Sequence, residues 1–446
     1  MRSQPLWLVG FADDSYDRSM DCSTPADRRE LLALAGSALE RYQLDRLNCL
    51  IEKILPANRF YQDRLAALSL PFKSLDEFAR LPFTFKDALL TAPVNSGPAR
   101  LSDIHTFSRD KYVRYHQTSG TRGRPLPVLD TSDDWKWWVE CWQYILDAAE
   151  VRADDCVFMA FSFGPFVGFW SAFDAAVNRG CLVVPGGGLN TLGRLELLRN
   201  SGATIVCCTP SYALRLAEVA HQHHIDCSSL GVRCLILAGE PGGSIPAVRE
   251  RIESAWGARV LDHAGATEVG PWGVGDSAGD GLHVIESEFI AEFLSLEHGG
   301  PAGEGELSEL VLTNLGRVGA PVLRYRTGDL VRPSWTRPGP IRFVHLPGGI
   351  HGRVDDMLVI RGVNIFPTAI EQIVRSFPEV VEYRATAHRV HSMDQISVEI
   401  EDRLEQPKRV AEELRLRLGL KIDVRAVPLG SLPRFEGKGQ RLVDER

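Results

Sequence analysis

The sequence predicts an α/β fold. A large N-terminal domain, residues 1–352, carries a parallel sheet flanked by helices with a β-rich subdomain, and a small α+β C-terminal domain follows, residues 353–446. Three observations predict it. From residue 155, short apolar runs alternate with stretches of helical character, the pattern of a parallel sheet covered on both faces. After about residue 285 the chain becomes strand-rich, with Gly and Pro turns. Beyond Gly352–Asp356, helix and strand signals recur in a stretch long enough for its own small core.

Taken in order, the first 130 residues read as mainly helical and irregular. Leu47, Leu50, Ile51 and Ile54 recur at helical spacing and give one apolar face. Asp133–Ala149 reads as a helix with Trp135, Trp138, Trp142 and Ile145 along one side, a stripe that predicts core packing. The runs Cys156–Phe161, Cys181–Val184, Thr204–Cys208, Cys234–Ala238 and Arg259–Leu261 read as strands. Leu192–Arg199, Tyr212–His221 and Ala247–Trp256 read as helices between them. In the small domain, Pro367 fits the first turn of a helix through Phe377, with Ile370, Ile373, Val374 and Phe377 on one face. A strand-like run, Gln395–Ile400, precedes a helix over Lys408–Leu418.

Composition narrows the class of function. Apolar residues at 44% and charged residues at 24% match ordinary globular usage, which argues against disorder, collagen and coiled coil. A formal charge of -8 disfavours broad affinity for nucleic acid or acidic membranes, although a local basic pocket could hold a phosphate. The nine cysteines include no CxxC pair and none beyond Cys234, so a reducing compartment is the simpler inference. The apolar stretch Leu6–Phe11 is short and soon followed by Asp13 and Asp14, unlike a secretory signal. Cys156–Trp170 is interrupted by Ser162, Gly164, Pro165 and Gly168, unlike a membrane span. The expectation is a cytoplasmic protein with neither nucleic acid nor membrane as partner.

Gln117–Pro125, Gln-Thr-Ser-Gly-Thr-Arg-Gly-Arg-Pro, gathers glycines, hydroxyls and arginines in nine residues. Such a loop lets backbone amides and hydroxyls approach phosphate oxygens. It is not a Walker A loop, because no Gly-Lys-Ser/Thr closes it. Four further stretches follow: Ala238-Gly-Glu-Pro-Gly242, Asp262-His-Ala-Gly-Ala-Thr-Glu268, Tyr325-Arg-Thr-Gly-Asp-Leu330 and Gly352–Pro367, with Pro433–Arg441 at the terminus. Taken singly, each is an ordinary loop. Their order and spacing together are not a chance set.

Together they resemble the adenylate-forming superfamily of acyl-CoA synthetases and adenylation domains, over roughly residues 40–446. Gly239–Gly242, Thr209–Leu214, Leu81–Lys86, Ala57–Tyr61 and Arg361–Pro367 are most similar to its phenylacetate–CoA ligase branch. The resemblance implies ATP-dependent conversion of a carboxylic acid to an acyl-adenylate, followed by transfer to the thiol of CoA. An amine or carrier-protein acceptor is the alternative, and a silent nucleotide-binding homologue the second. Thr118, Ser119, Gly120, Thr121, Gly123 and Arg124 are implied to cradle the β- and γ-phosphates, with Thr267 at the α-phosphate and Glu268 holding Mg²⁺. Gly239, Glu240 and Pro241 edge the adenine, Asp262 belongs to the same nucleotide site, and Asp329 and Arg353 contact the ribose hydroxyls. Lys438 is implied to neutralise charge as the α-phosphate is attacked. The small domain then rotates near Asp355, bringing Arg361 and Gly362 to the thiol's path. A homodimer is suggested by the same branch.

Three departures stand out. Ala264 occupies the place where the family carries an aromatic residue against adenine, and Arg122 and Arg124 replace the commoner Thr and Lys. Some members carry a zinc site of cysteines and a histidine; here His283 has no cysteine beyond Cys234 to join it, so no zinc is expected. For the acid, the resemblance implies a pocket between the segment after the first sheet strand and the Gly-Glu-Pro and Thr-Glu motifs; these segments supply Phe161, Phe163, Phe166, Phe169 and Trp272, with Gly164 and Gly168 leaving room between rings. No lysine or arginine lies within 155–175, so the expected substrate is an aryl or arylacetic acid rather than a dicarboxylate or long fatty acid.

Overall fold

The computed structural model describes residues 23–90, 102–118, 125–336, 339–360, 363–390, 393–435, 439 and 441–446. Its centre is an eight-stranded sheet. Leu182–Pro185, Cys156–Met159, Ile205–Cys208, Cys234–Leu237 and Arg259–Ala266 run parallel in that spatial order. Gly270–Val274, Gly281–Val284 and His345–Pro347 continue it antiparallel.

All five apolar runs read as strands are strands. The three central ones are buried at every position, as a sheet covered on both faces requires. Successive residues divide between two cores: Val157, Met159 and Cys207 face Trp142, Ile145 and Ala175, while Phe158, Val206 and Cys208 face Leu195, Tyr212 and Ile252. Helices Ser132–Ala148 and Trp170–Asn178 therefore cover one face, and Thr191–Ser201, Pro210–Gln222 and Pro246–Trp256 the other. The tryptophan stripe packs into the first of these cores, as its spacing predicts. Thr131 starts that helix with a capping box shared with Asp134.

One strand runs past its expected end. Arg259–Ala266 pairs parallel through Asp262, then turns its other edge to Gly270–Val274. The Asp262–Glu268 motif thus sits where the parallel sheet ends, the crevice where open α/β sheets bind ligands.

The reading of the first 130 residues as helical and irregular needs correction. Helices Pro25–Leu32, Gly36–Ile54 and Arg59–Leu65 are present, but Tyr112–Gln117 pairs antiparallel with Pro127–Thr131 across the glycine-rich loop. Its apolar residues Val113 and Tyr115 are 58% and 52% exposed while His116 is buried, so the usual apolar-inward alternation is reversed.

The β-rich subdomain is a four-stranded antiparallel sheet in the order Phe289–Ser295, Ser308–Asn314, Tyr325–Val331, Gly352–Arg353. The small domain has its own core. Helices Pro367–Arg375 and Pro407–Leu418 pack Ile370, Val374, Val410 and Leu414 on a four-stranded sheet that includes Val380–Val390, a strand the sequence reading missed, and Met393–Asp402. Among the described residues, no helix is long and apolar enough to cross a membrane.

Candidate active site

The crevice at the end of the parallel strands gathers the motifs. Thr118 is buried and closes the base of the glycine-rich loop: its N–H donates to Leu126 O at 3.1 Å, and its hydroxyl accepts from Leu126 N–H at 3.0 Å. Beside it, Gln117 N–H donates to Pro165 O at 2.6 Å, tying the loop to the aromatic segment. Ser119, Gly120, Thr121, Gly123 and Arg124 lie outside the described residues, as do Arg361, Gly362 and Lys438.

Thr267 and Glu268 form the turn after strand Arg259–Ala266. Glu268 Oε1 accepts from the Tyr325 hydroxyl at 2.9 Å and lies 3.6 Å from Lys86 Nζ. Burial and the Glu268 charge push the Tyr325 hydroxyl far above its ordinary pKa, so it remains a donor to that carboxylate. Across the crevice Asp329 pairs with Arg353 in the strand register, and Arg353 Nη1 donates to Asp329 Oδ1 at 2.8 Å. Arg353 Nη2 also donates to Thr327 O over Gly328, whose φ of +76° suits glycine. The structure therefore brings these two expected ribose contacts together. Asp355 lies in the short turn Val354–Asp356 that follows.

Gly239, Glu240 and Pro241 leave the end of strand Cys234–Leu237. The Glu240 carboxylate accepts from Ser211 N–H at 2.7 Å and from Gly439 N–H at 2.6 Å. Asp262 is buried beneath them and accepts from the Ser244 hydroxyl and from His263 N–H. Burial outweighs those bonds and raises its pKa to about 6. Ala264 is 5% exposed and faces Gly273 across the strand pair.

Four phenylalanines form one ring cluster. Phe161 makes edge-to-face contacts with Phe163, Phe166 and Phe169 at centroid distances of 6.0, 5.4 and 5.3 Å. Trp272 departs from the expectation: it is 1% exposed and packed in the sheet's core. Its strand, Gly270–Val274, is buried at every position, so the side chain fills interior volume. The room expected beside the glycines is taken up by the rings themselves: a Cβ at Gly164 would lie 2.7 Å from the Phe166 ring. A Cβ at Gly168, which has a φ of +41°, would overlap the Phe161 ring. Gly168→Ala is expected to displace that ring, lower stability by about 1–3 kcal/mol and raise the KM for the acid with the KM for ATP unchanged. Initial rates over both substrates and a melting curve check this; an unaltered KM for the acid would remove Phe161 from the pocket.

Residues 79–286 match the AMP-binding enzyme family, and residues 362–446 match the AMP-binding enzyme C-terminal domain. A phenylacetate-coenzyme A ligase of Pseudomonas putida is 32% identical over 427 residues, covering 92% of this chain and 94% of its own. This chain belongs to the phenylacetate–CoA ligase branch of the AMP-binding enzymes. Crystal structures of a 2-hydroxyisobutyryl-CoA ligase are 26% identical to this branch member. In the post-adenylation state with 2-HIB-AMP the match has a TM-score of 0.88, covering 96% of this chain and 94% of that one. In the thioesterification state with 2-HIB-AMP and CoA the TM-score is 0.71, covering 95% and 94%.

The ligase chain also shows what sequence reasoning missed. Arg317, 0% exposed, donates to the carbonyls of Thr267 and Glu268 at 3.1 and 3.0 Å and sits 2.6 Å from Asp130 Oδ1. Asp130 lies on strand Pro127–Thr131, just beyond the glycine-rich loop. Burial alone would raise the Asp130 carboxyl; Arg317, then His116, outweigh it and hold it below its ordinary value. One buried ion pair thus fastens the phosphate-loop hairpin to the Thr267–Glu268 turn.

Proposed function

We propose that this chain activates an aryl or arylacetic acid with ATP and passes the acyl group to coenzyme A. Its family makes it an AMP-forming acid–CoA ligase; the class of acid and the division of labour among residues are what is proposed. In the first step the acid's carboxylate oxygen bonds to the α-phosphorus and pyrophosphate leaves. In the second the thiol sulfur bonds to the acyl carbon, its proton is lost and AMP leaves.

The first step brings an anion to a polyanion, so the protein's contribution is largely electrostatic. In this reading the loop closed by Thr118 holds the β- and γ-phosphates, Thr267 the α-phosphate, and Asp329 with Arg353 the ribose. Glu268 would hold Mg²⁺. The fit is sound: both described contacts of its carboxylate fall on Oε1, and magnesium favours one or two carboxylates plus phosphates. When bound, the ion supplies neutralisation of phosphate charge.

The ring cluster carries the class of acid. Phe161 meets Phe163 and Phe166 edge to face beside a loop base hydrogen-bonded to their own segment, with the buried Phe169 backing it from the core, and such contacts favour a flat aromatic guest. The higher likeness to the post-adenylation state of the hydroxyisobutyryl ligase supports reading this conformer as the adenylation arrangement. A division at residues 352/353, a rotation near Asp355 and the entry of Arg361 and Gly362 then belong to the second step. A reducing, cytoplasmic setting is part of the proposal, supported by the described cysteines, all free thiols.

The test is acid-dependent AMP formation with CoA, with amines and with neither. Sustained turnover only with CoA is expected. Turnover only with an amine would move the chain to the alternative acceptor class.

A further inference from the structure

We infer that Glu240 is a positioning residue for the adenylation step: its carboxylate clasps the N–H of the peptide bond joining Lys438 to Gly439, and so fixes the lysine-bearing terminus at the nucleotide site. The inference rests on the role proposed above for Lys438.

Both carboxylate oxygens are engaged, and by different domains. Oε1 takes Ser211 N–H from the first turn of helix Pro210–Gln222 at 2.7 Å, and Oε2 takes Gly439 N–H from the terminus at 2.6 Å. Hydrogen bonds of this charge-assisted kind are about twice as strong as neutral ones. A second bond crosses at the same place: Arg441 Nη1 donates to Ser211 Oγ at 2.8 Å. The small domain holds that guanidinium ready, since Arg441 Nε and Nη2 donate to Glu382 at 2.7 and 3.1 Å, and Glu371 lies 3.5 Å away. The approach is close: a Cβ at Gly439 would overlap Arg441 Nη1 and lie 2.9 Å from Ser211 Oγ.

Other described contacts join the small domain to the large one away from the terminal residues: Arg251 Nη1 donates to Val380 O at 2.9 Å, and Arg353 pairs with Asp329. Arg434 Nε lies 3.3 Å from Glu218 while its Nη2 lies 2.6 Å from Glu401 of its own domain. Glu240 and Ser211 are the contacts that reach Gly439 and Arg441 themselves. Rotation of the small domain would withdraw Gly439 and Arg441 together, so the two bonds act only in the arrangement that presents Lys438. A residue of the Gly-Glu-Pro motif, expected from its position to edge the adenine, thereby links the nucleotide site to the terminus. The second half-reaction does not use the clasp.

Glu240→Gln keeps the shape but turns an NH₂ group toward one of the two N–H donors. The expected result is a fall on the order of tenfold in the kcat of acid-dependent ATP–pyrophosphate exchange, the loss of one charge-assisted bond. The KM for ATP and the rate of thioester formation from supplied acyl-adenylate stay unchanged. Ser211→Ala, which removes only the acceptor of Arg441, should lower the same kcat by a smaller factor. Amide hydrogen exchange over residues 430–446 should be faster in both variants. A raised KM for ATP with kcat intact would assign the Glu240 side chain to adenine instead. An equal fall in both half-reactions would make its role one of folding, and unchanged amide exchange would remove the clasp. If the wild-type chain shows no acid-dependent exchange, the proposed function falls, while the amide-exchange arm still decides whether the clasp exists.

Discussion

Replacing Lys438 with alanine is expected to abolish acyl-adenylate formation while leaving thioester formation from supplied acyl-adenylate at its wild-type rate. The first half-reaction brings negative charge together at the α-phosphate, where a fixed cation contributes most. The second expels AMP under attack by a thiol and has no such demand. Lys438 lies between the anchored segment ending at Phe435 and Gly439, whose amide is held by Glu240. Loss of one preorganised charge of this kind costs on the order of a hundred- to a thousandfold in rate. Single-turnover measurements of each half-reaction check this. An equal fall in both would contradict either the assignment or the alternation of domains.

The second large effect is expected at Arg317. Arg317→Met removes the partner of Asp130, leaves a buried carboxylate without its cation, and takes two donors from the carbonyls of Thr267 and Glu268. Breaking one side of a buried ion pair costs about 3–5 kcal/mol. A lower denaturation midpoint is therefore expected, together with slower adenylation in the fraction that remains folded. Adding Asp130→Asn separates the two consequences. The asparagine carries no charge to strand and can still accept from Trp138 Nε1, which lies 3.1 Å from Asp130 Oδ1. Stability should recover in large part, whereas adenylation should not, because the Thr267–Glu268 turn still lacks its donors. Recovery of both would reduce Arg317 to a structural role.

These two predictions differ in how far the sequence reveals them. Lys438 is offered by the sequence because it stands in a short local pattern, Gly-Lys-Gly-Gln-Arg, as do the candidates Glu268 and Asp329 in theirs. The sheet is legible for a related reason: a strand covered on both faces must be apolar at every position, as Ile205–Cys208 and Cys234–Leu237 are. Arg317 and Asp130 are far apart in the chain, and neither stands in a local pattern that names the other. Only the fold makes them a pair. The hairpin Tyr112–Gln117 was hidden by its reversed alternation, with tyrosine and valine outward and histidine inward. Trp272 misled in the opposite way: an aromatic residue near a motif suggests a pocket, but its strand is interior on both faces. Glu240 was singled out by its motif, yet the terminus it holds could not be read from that motif alone.

In the proposed reading, the ring cluster around Phe161 selects a flat aromatic acid for adenylation. The measurement that tests it most directly is kcat/KM for CoA-dependent AMP formation across benzoate-like, phenylacetate-like and C8–C16 acids under one set of conditions. Higher values are expected for the aryl and arylacetic acids than for every long-chain acid, with dicarboxylates poor throughout. A clear preference for the long chains would contradict the aromatic pocket while leaving the adenylation chemistry in place.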